Sequence, residues 1–281
     1  MMERQPDTEY ILSLSYGKDS IACLFAIEQL GWPLDRIVHA EVWATDTIPA
    51  DPPPMVEFKT NADKIIKERW GIEVEHIRHS MTFEEMFYRK TCRGKFVGTT
   101  KGWPIMINSH GWCKNLKITD VLNKRDGVQY VGIAYDEPKR QHVLNEKKRS
   151  PLVEAQWDER TCRKVCEENS LLSPTYTTAT RGGCWFCNNQ GVDQLRMLRN
   201  TYPEYWSLML KWDKDSPVTF KADGHTLHDY EDRFHAEDAG LVPADRNFRW
   251  EMIGRKIIKP RAELPGQMRM EEFIDENLGG L

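Results

Sequence analysis

Hydrophobic and polar positions follow two alternating patterns along the first half of the chain. Short apolar runs predict β-strands, and apolar residues at helical spacing between them predict α-helices. The predicted strands are residues 10–14, 36–43, 73–78 and 129–134, and the predicted helices are residues 20–30 and 55–70. Gly31 and Gly71 stand where helix caps belong, and Thr82 with Glu85 forms a capping box that opens a further short helix. This alternation is typical of βαβ units, so we expect an α/β fold: a Rossmann-like parallel sheet with helices on both faces.

The pattern changes after Ser150-Pro151, where helical spacing dominates. The segments predicted there are helices at residues 158–169 and 192–214, the latter broken near Pro203, and a loop at residues 173–183. Beyond residue 217 the periodicity is weak. It predicts a helix at residues 247–258 and a solvated acidic loop around the histidines of residues 225–235. We expect a cysteine-containing helical region to follow the sheet.

Composition narrows the class of protein. The 281 residues, 40% of them hydrophobic, are enough for one large or two modest domains that fold without disulfides. A net charge of −4 excludes a uniformly basic nucleic-acid binder. The polar, acidic amino end and the lack of a long apolar stretch predict a cytoplasmic protein with no membrane partner.

A six-residue segment, Ser15-Tyr16-Gly17-Lys18-Asp19-Ser20, joins the first predicted strand to the first predicted helix. Helix amino ends favour anions, because their amides point outward and the helix dipole is positive there. Gly17 would allow the backbone to approach a phosphate closely, the hydroxyls of Ser15 and Ser20 could donate to its oxygens, and Lys18 would supply a positive charge. The segment therefore fits a phosphate, although an ordinary strand-to-helix turn capped by Ser and Asp would have the same residues.

Four segments, in order along the chain, resemble the PP-loop superfamily and especially its phosphoadenosine phosphosulfate (PAPS) reductase family. SYGKDS at residues 15–20 is similar to the family's S-G-G-x-D-S, with Tyr16 in place of the usual first Gly. ATDT at residues 44–47 resembles its D-T element. WCKNLK at residues 112–117 and GIAYDEPKR at residues 132–140 resemble its W-C-x-x-L-K and G-I-x-x-D-E-x-x-R segments.

The resemblance implies a fold, a ligand and a division of the chain. The fold is the PP-loop, or adenine nucleotide alpha-hydrolase-like, form of the Rossmann-like sheet. The ligand is ATP or a PAPS-like adenine nucleotide, held by Ser15, Tyr16, Gly17, Lys18, Asp19, Ser20 and Asp46. The expected regions are a nucleotide-binding domain at 1–150, a cysteine-rich helical region at 151–216 and an extension of unassigned role at 217–281.

The cysteines indicate a metal site. Cys184 and Cys187 form a C-x2-C beside two glycines, which let the backbone turn so that both sulfurs face one ion. Further ligands would come from Cys113, Cys162 or Cys166. Four thiolates suit zinc or an iron–sulfur cluster, whereas a helix cysteine such as Cys166 is otherwise a small buried hydrophobe.

The resemblance narrows this ligand set. Family forms found in phages and mobile elements have a cysteine in the W-C-x-x-L-K segment, one on the helix before the loop, and then C-x2-C. That pattern implies Cys113, Cys166, Cys184 and Cys187 around zinc or a 4Fe-4S cluster, with Cys162 in reserve. The family's reductases act through a carboxy-terminal E-C-G-L-H cysteine, and the last cysteine here is Cys187, so we do not expect classical sulfonucleotide reduction.

The reaction we expect is sulfur transfer by an ATP-using PP-loop enzyme. A substrate oxygen is adenylated, and a sulfur nucleophile held at the cysteine-bound cluster then displaces AMP. Lys18, Asp46, Lys117 and Arg140 are the predicted catalytic residues. Asp46 is placed near the ribose or a magnesium ion, and the cations stabilise developing negative charge. Alternatively, Asp19 only caps the helix, Asp46 only caps a turn, and Lys117 and Arg140 are solvated surface charges. Asp136 and Glu137 would bind metal or pair with Arg140.

Two other functions are compatible with these residues. One is binding or reduction of PAPS or a related sulfonucleotide. The other is a non-catalytic nucleotide or nucleic-acid binding protein with a structural zinc site. The segment from Arg89 to Arg125 has nine basic residues and one acidic residue, which favours a nucleic-acid substrate or a sulfur-donor protein as partner. A solvated basic loop has the same composition, and a homodimer is compatible with the sequence.

Overall fold

The structure is a computed structural model that describes residues 3–92, 97–104, 122, 126–178 and 182–255. Its strands are β1 (Tyr10–Ser13), β2 (Arg36–Glu41), β3 (Val74–Arg78), β4 (Val128–Tyr130) and β5 (Lys148–Arg149). Its α-helices are α1 (Lys18–Leu30), α2 (Pro53–Trp70), α3 (Phe83–Tyr88), α4 (Pro138–Gln141), α5 (Pro151–Glu154), α6 (Glu159–Glu168), α7 (Thr175–Thr178), α8 (Val192–Thr201), α9 (Pro203–Asp215) and α10 (Leu227–Asp238).

The described residues form two compact units. The first contains the described residues up to Ser80 and those from residue 122 to Cys184; the second contains the remainder, up to residue 255. Residue 150 lies within the first unit and residue 216 within the second. The three regions expected from the sequence stay a prediction.

The first unit is built on a five-stranded, all-parallel sheet with the order β3-β2-β1-β4-β5. The predicted α/β class with a parallel, Rossmann-like sheet is therefore confirmed. The chain runs outward from β1 in one direction through β2 and β3, and then returns to the other side of β1 as β4. In open α/β sheets, ligands bind at the carboxyl ends of the strands where the strand order reverses, which here is the gap between β1 and β4.

Strand β4 is shorter than the sequence predicts. It ends at Tyr130, because the chain turns sharply there: the amide of Ile133 donates to the carbonyl oxygen of Val131 at 3.0 Å. The turn directs the following residues toward α1 instead of along the sheet. The two-residue strand β5 was not predicted, since a pair such as Lys148 and Arg149 has no apolar alternation.

Helix α1 is the centre of the first unit. Nine of its thirteen residues are buried, and it ends at Gly31, whose φ of 62° is the left-handed value that glycine adopts freely. It packs on α5 and α6, and the buried core around it includes side chains from β1 and α2. This packing fixes where the amino end of α1 lies relative to the sheet.

The second unit has an aromatic core. The rings in contact at its centre are Phe83, Phe87, Trp103, Trp185, Phe186, Trp212 and Phe220. Asp213 is buried beside them, where it accepts hydrogen bonds from the Trp103 indole at 2.8 Å and the Leu227 amide at 2.8 Å. These aromatics therefore serve packing, and the buried Asp213 carboxylate ties the start of α10 to α9.

Two expectations for the chain beyond residue 217 are wrong. The segment expected to be an acidic loop is the helix α10, capped by Thr226, with Leu227, Tyr230 and Phe234 buried on one face. Three apolar positions among many charges gave too weak a periodicity to reveal it. Residues 247–255, the described part of the segment expected to be a helix, contain only a single 3-10 turn, Trp250–Ile253, which ends at Gly254. No helix within the described ranges combines the length and apolar character needed to cross a membrane.

Candidate functional site

The candidate site is the loop of residues 15–20, which follows β1 at the gap between β1 and β4. Its two serine hydroxyls are 3.0 Å apart and share a hydrogen bond. The Ser20 hydroxyl also donates to the carbonyl oxygen of Gly17 at 3.0 Å and accepts from the Ser15 amide at 3.1 Å. Gly17 is the N-cap of α1 in extended conformation and provides no side-chain cap. The loop is thus held by its own hydrogen bonds, and the amides at the amino end of α1 can donate to an acceptor from outside the loop.

Lys18 lies at this helix end with its ammonium group held by carboxylates. Its Nζ is 2.8 Å from Asp19 Oδ1 and 3.2 Å from Glu159 Oε2. Burial opposes the charged form, but the hydrogen bonds and charges of Asp19 and Glu159 outweigh it and raise the pKa of Lys18. The loop therefore places a charged ammonium group, already paired with two carboxylates, next to helix amides that favour an anion.

Tyr176, on the short helix α7, is a site residue that the sequence did not indicate. Its hydroxyl oxygen accepts the backbone amide hydrogen of Lys18 at 3.1 Å and lies near the position a Cβ on Gly17 would occupy. A phosphate oxygen on the helix end would be the alternative acceptor for this amide. Because the two residues are 158 positions apart, no local pattern could have revealed the contact.

The segment of residues 132–140 meets the loop at Gly132. A Cβ on this glycine would lie 2.7 Å from the Ser20 amide nitrogen and 2.8 Å from the carbonyl carbon of Asp19. Both atoms are backbone atoms in the first turn of α1, so a side chain there cannot be accommodated without moving the helix end. The structure thus brings two of the four family-like segments together, one after β1 and the other after β4.

The acidic and basic residues after Gly132 pair with one another. Glu137 accepts two hydrogen bonds from Arg140 Nη1, at 2.6 and 2.8 Å, and one from the Ala134 amide at 3.1 Å. Asp136 accepts the backbone amide of Glu159 at 3.1 Å. Of the alternatives left open by the sequence, the structure therefore shows pairing of Glu137 with Arg140. The Arg140 side chain is 56% exposed.

Asp46 lies beyond the carboxyl end of β2, the strand next to β1. Its side chain is 86% exposed and its Oδ1 is 3.2 Å from Arg78 Nη2. The neighbouring Thr45 hydroxyl accepts the Ile48 amide at 3.1 Å, which shapes the turn that presents Asp46. Its carboxylate is thus on the loop's edge of the sheet and open to solvent.

Below the loop, the Tyr16 side chain is buried in a hydrogen-bonded cluster. Its hydroxyl donates to Asp63 Oδ1 on α2 and lies 3.1 Å from Nε2 of His76 on β3. His76 Nε2 is also 2.9 Å from Asp63 Oδ2, and its Nδ1 is 2.8 Å from Glu41 Oε1. Tyr16 was expected among the ligand-binding residues, but its ring points into the protein, so only its backbone lines the loop.

His39 and Lys59 complete this cluster. His39 Nδ1 donates to the carbonyl oxygen of Leu14 at 2.8 Å, which leaves Nε2 to accept from Lys59 Nζ at 2.8 Å. Lys59 also donates to Asp51 at 2.5 Å. Burial and the neighbouring Lys59 lower the pKa of His39 to about 3, so this imidazole is neutral. The Tyr16 ring packs edge-on against it with centroids 4.8 Å apart.

The two carboxylates that pair with His76 lead us to expect a stability that depends on pH. The hydrogen bonds that His76 donates to Asp63 and Glu41 raise its pKa to about 9, above the usual 6.5. The stabilisation is then fully present below pH 6.5 and is lost as the pH rises through about 9. With allowance for solvent screening at this partly exposed site, we expect the free energy of unfolding to fall by about 1–2 kcal/mol between pH 6.5 and 9.5.

Denaturant unfolding of the wild type and of His76→Gln at both pH values measures this effect. The free energy of unfolding of His76→Gln should not fall between these two pH values as that of the wild type does. An equal decrease in both proteins would show that another group titrates in this range.

The buried cysteines of the first unit pack around α1. Cys166 Sγ on α6 donates to the carbonyl oxygen of Lys18 at 3.2 Å, and burial raises its pKa to about 12. Cys162 and Cys23 are also fully buried, and burial raises the pKa of each thiol. Cys166 thus ties α6 to the start of α1, and its expected role as a metal ligand stays a prediction.

The C-x2-C lies at the boundary between the units, with Cys184 in the first and Cys187 in the second, and both residues are partly exposed. Cys113 lies outside the described residues. Within the described residues, no three or more His, Cys, Asp or Glu side chains form a group that could hold a metal ion. The metal site therefore stays a prediction, and no step of the chemistry below depends on it.

Lys117 and most of the basic segment between residues 89 and 125 also lie outside the described ranges. Arg89, Lys90 and Lys101 are described, and the Lys101 amide donates to the carbonyl oxygen of Arg89 at 3.0 Å. The expected role of this segment as a partner-binding surface stays a prediction.

Comparison with known proteins gives no relative from which to transfer a function: no family model matches the chain, and no curated protein matches it. A function is therefore inferred from the geometry of the site and from the resemblance of its motifs.

Proposed function

We propose that this protein is an enzyme of the PP-loop type that binds ATP, or a related adenine nucleotide, with the phosphates at residues 15–20. The observation that carries the proposal is the position of the loop. It lies at the strand-order reversal of a parallel sheet, and Gly132 packs directly on its helix end. This is where nucleotide phosphates bind in folds of this class.

The side chains of the loop suggest how the phosphates are held. The charge of Lys18 would balance a pyrophosphate group, and the hydroxyls of Ser15 and Ser20 would donate to its oxygens once they exchange their mutual hydrogen bond for the ligand. The amide of Lys18 would transfer from Tyr176 to a phosphate oxygen. Such preset donors stabilise charge without reorganising at the moment of reaction.

The reaction we propose is adenylation followed by sulfur transfer. A substrate oxygen bonds to the α-phosphorus of ATP, the bond from that phosphorus to the bridging oxygen breaks, and pyrophosphate leaves with the electron pair. A sulfur nucleophile then bonds to the activated substrate and displaces AMP. We assign Asp46 to the ribose or a magnesium ion, and Lys117 and Arg140 to the developing negative charge.

Zinc or a 4Fe-4S cluster at Cys184 and Cys187 is a further part of the proposal. These two partly exposed thiols would be half of a four-ligand set. Cys113 and Cys166 would complete the set, as the resemblance implies, and Cys166 would then give up its hydrogen bond to the Lys18 carbonyl oxygen. The metal content after anaerobic purification tests this part of the proposal. Stoichiometric zinc in a colourless protein would contradict the cluster, and a protein without zinc or iron would contradict the metal site.

A thermal-shift comparison of ligands tests the proposed function. A ligand at one hundred times its Kd stabilises the folded protein by ~2.7 kcal/mol, which corresponds to a rise of about 5 °C in melting temperature for a protein of this size. We expect this rise with ATP and a smaller one with adenosine, which lacks the phosphates. A larger shift with PAPS than with ATP would favour the sulfonucleotide alternative, and no shift with either would contradict nucleotide binding.

A further inference from the structure

Tyr16 has an unusual backbone conformation for a side chain of its size. Its φ is 56°, in the left-handed region that glycine adopts easily and that a Cβ makes crowded. The family motif that the loop resembles has glycine at this position. A residue that keeps such a conformation must be held there by its surroundings, and residues held in this way concentrate at functional sites.

Three structural elements next to the loop hold the Tyr16 side chain. Its hydroxyl bonds to Asp63 of α2 and lies 3.1 Å from His76 Nε2 of β3. The edge of its ring meets His39 of β2, and the Nζ of Lys59 is 5.1 Å from the ring centroid. The ring has no solvent exposure. These contacts hold the ring in place, because their partners come from α2, β2 and β3.

The effect of this anchoring reaches the candidate site through the backbone. Tyr16 lies between Ser15, whose hydroxyl faces Ser20, and Gly17, which caps α1. When the φ of Tyr16 is fixed, the direction of the Ser15 hydroxyl and the path into the first turn of α1 are fixed with it. Glycine at this position would leave the loop free to sample several conformations.

We propose that Tyr16 is a positioning residue: its buried side chain, bonded to Asp63 and His76, presets the phosphate loop in its binding conformation. The proposal goes beyond the family motif, which has no side chain here, and it rests on the proposed nucleotide-binding function. Presetting a loop increases affinity because the cost of ordering it is not incurred on binding. Tyr16 itself does not touch the ligand.

The test compares three variants of the full chain. Tyr16→Phe keeps the ring contacts and removes the hydroxyl, and Tyr16→Gly removes the whole anchor and relieves the backbone strain. Tyr130→Phe is the matched control: Tyr130 is another buried tyrosine of the same sheet, and its hydroxyl donates to the Pro33 carbonyl oxygen at 3.0 Å, away from the loop.

Two measurements are made on each variant: amide hydrogen exchange at residues 17–20 without ligand, and the Kd for ATP. We expect faster exchange and a Kd raised about tenfold in Tyr16→Gly, a smaller change of the same kind in Tyr16→Phe, and neither change in Tyr130→Phe. Unchanged exchange and Kd in both Tyr16 variants would overturn the proposal, as would equal changes in the control.

The two readouts separate this inference from the proposed function. If the wild type does not bind ATP, the nucleotide proposal fails, while hydrogen exchange still decides whether Tyr16 orders the loop. If Tyr16→Gly does not fold, Tyr16→Phe and Asp63→Asn remain. Asp63→Asn removes the carboxylate that accepts the tyrosine hydroxyl, and in the Tyr16→Phe background it should change loop exchange by less than it does alone.

Discussion

Replacing Lys18 by alanine should reduce the affinity for ATP at least ~100-fold. The ammonium group lies at the amino end of α1, where it is 9% exposed and held by Asp19 and Glu159. Its loss removes a charge-assisted hydrogen bond to phosphate, worth about 1.5–3 kcal/mol, and leaves the two carboxylates to repel the ligand. Isothermal titration of ATP into wild type and variant measures the change.

Lys164→Ala is the matched control for this prediction. Lys164 lies on α6 of the same unit, its side chain is 72% exposed, and it pairs at 3.6 Å with Glu168 one turn along the helix. We expect no change in its ATP affinity. Because Lys18→Ala leaves Asp19 without its cation, its unfolding curve should be recorded as well. Wild-type affinity in a folded Lys18→Ala protein would show that the loop does not bind the phosphates.

Gly132→Ala should disrupt the same site from the other strand. The added Cβ would lie 2.7 and 2.8 Å from backbone atoms of Ser20 and Asp19, which cannot move aside as a flexible side chain can. The clash can be relieved only if the amino end of α1 shifts, so we expect the free energy of unfolding to fall by about 1–3 kcal/mol. We also expect at least ~tenfold weaker ATP binding, because the helix amides and Lys18 move together with that helix end. Denaturant unfolding and ATP titration measure the two effects.

Gly191→Ala provides the comparison, since the nearest atom to its added Cβ would be Gln194 Oε1 at 4.0 Å and its φ is not positive. Gly191 is the N-cap of α8, where alanine is less favourable than glycine, so we expect a loss of no more than about 0.5–1 kcal/mol in the free energy of unfolding and no change in ATP affinity. A Gly132→Ala protein with wild-type stability would contradict the close packing of the two segments.

The local parts of the first unit could be predicted from the sequence because local chemistry determines them. Apolar runs and helical spacing located β1, β2, β3, α1 and α2, and Gly31 and Gly71 ended the two helices as expected. Thr82 and Glu85 formed the predicted capping box. The position of the loop followed from the same pattern, since a loop between a parallel strand and its helix must lie at the carboxyl edge of the sheet.

The contacts that complete the site could not be predicted, because they join residues far apart in sequence. Tyr176 and Lys18, Gly132 and Ser20, and Tyr16 with its partners meet only after the sheet order is set. The sequence showed Tyr16 as a departure from the motif, and the structure shows that the tyrosine fills space beneath the loop. Cys166 makes another such contact: its thiol donates to the Lys18 carbonyl oxygen, 148 positions away in the sequence.

The loop of residues 15–20 is proposed to hold the phosphates of an adenine nucleotide. The most direct measurement is equilibrium titration of the full chain with ATP, pyrophosphate and adenosine, repeated on Lys18→Ala. We expect ATP and pyrophosphate to bind to the wild type, adenosine to bind far more weakly, and Lys18→Ala to lose both phosphate-containing ligands. ATP binding that is matched by adenosine and unaffected by Lys18→Ala, or no binding of ATP, would contradict this proposal.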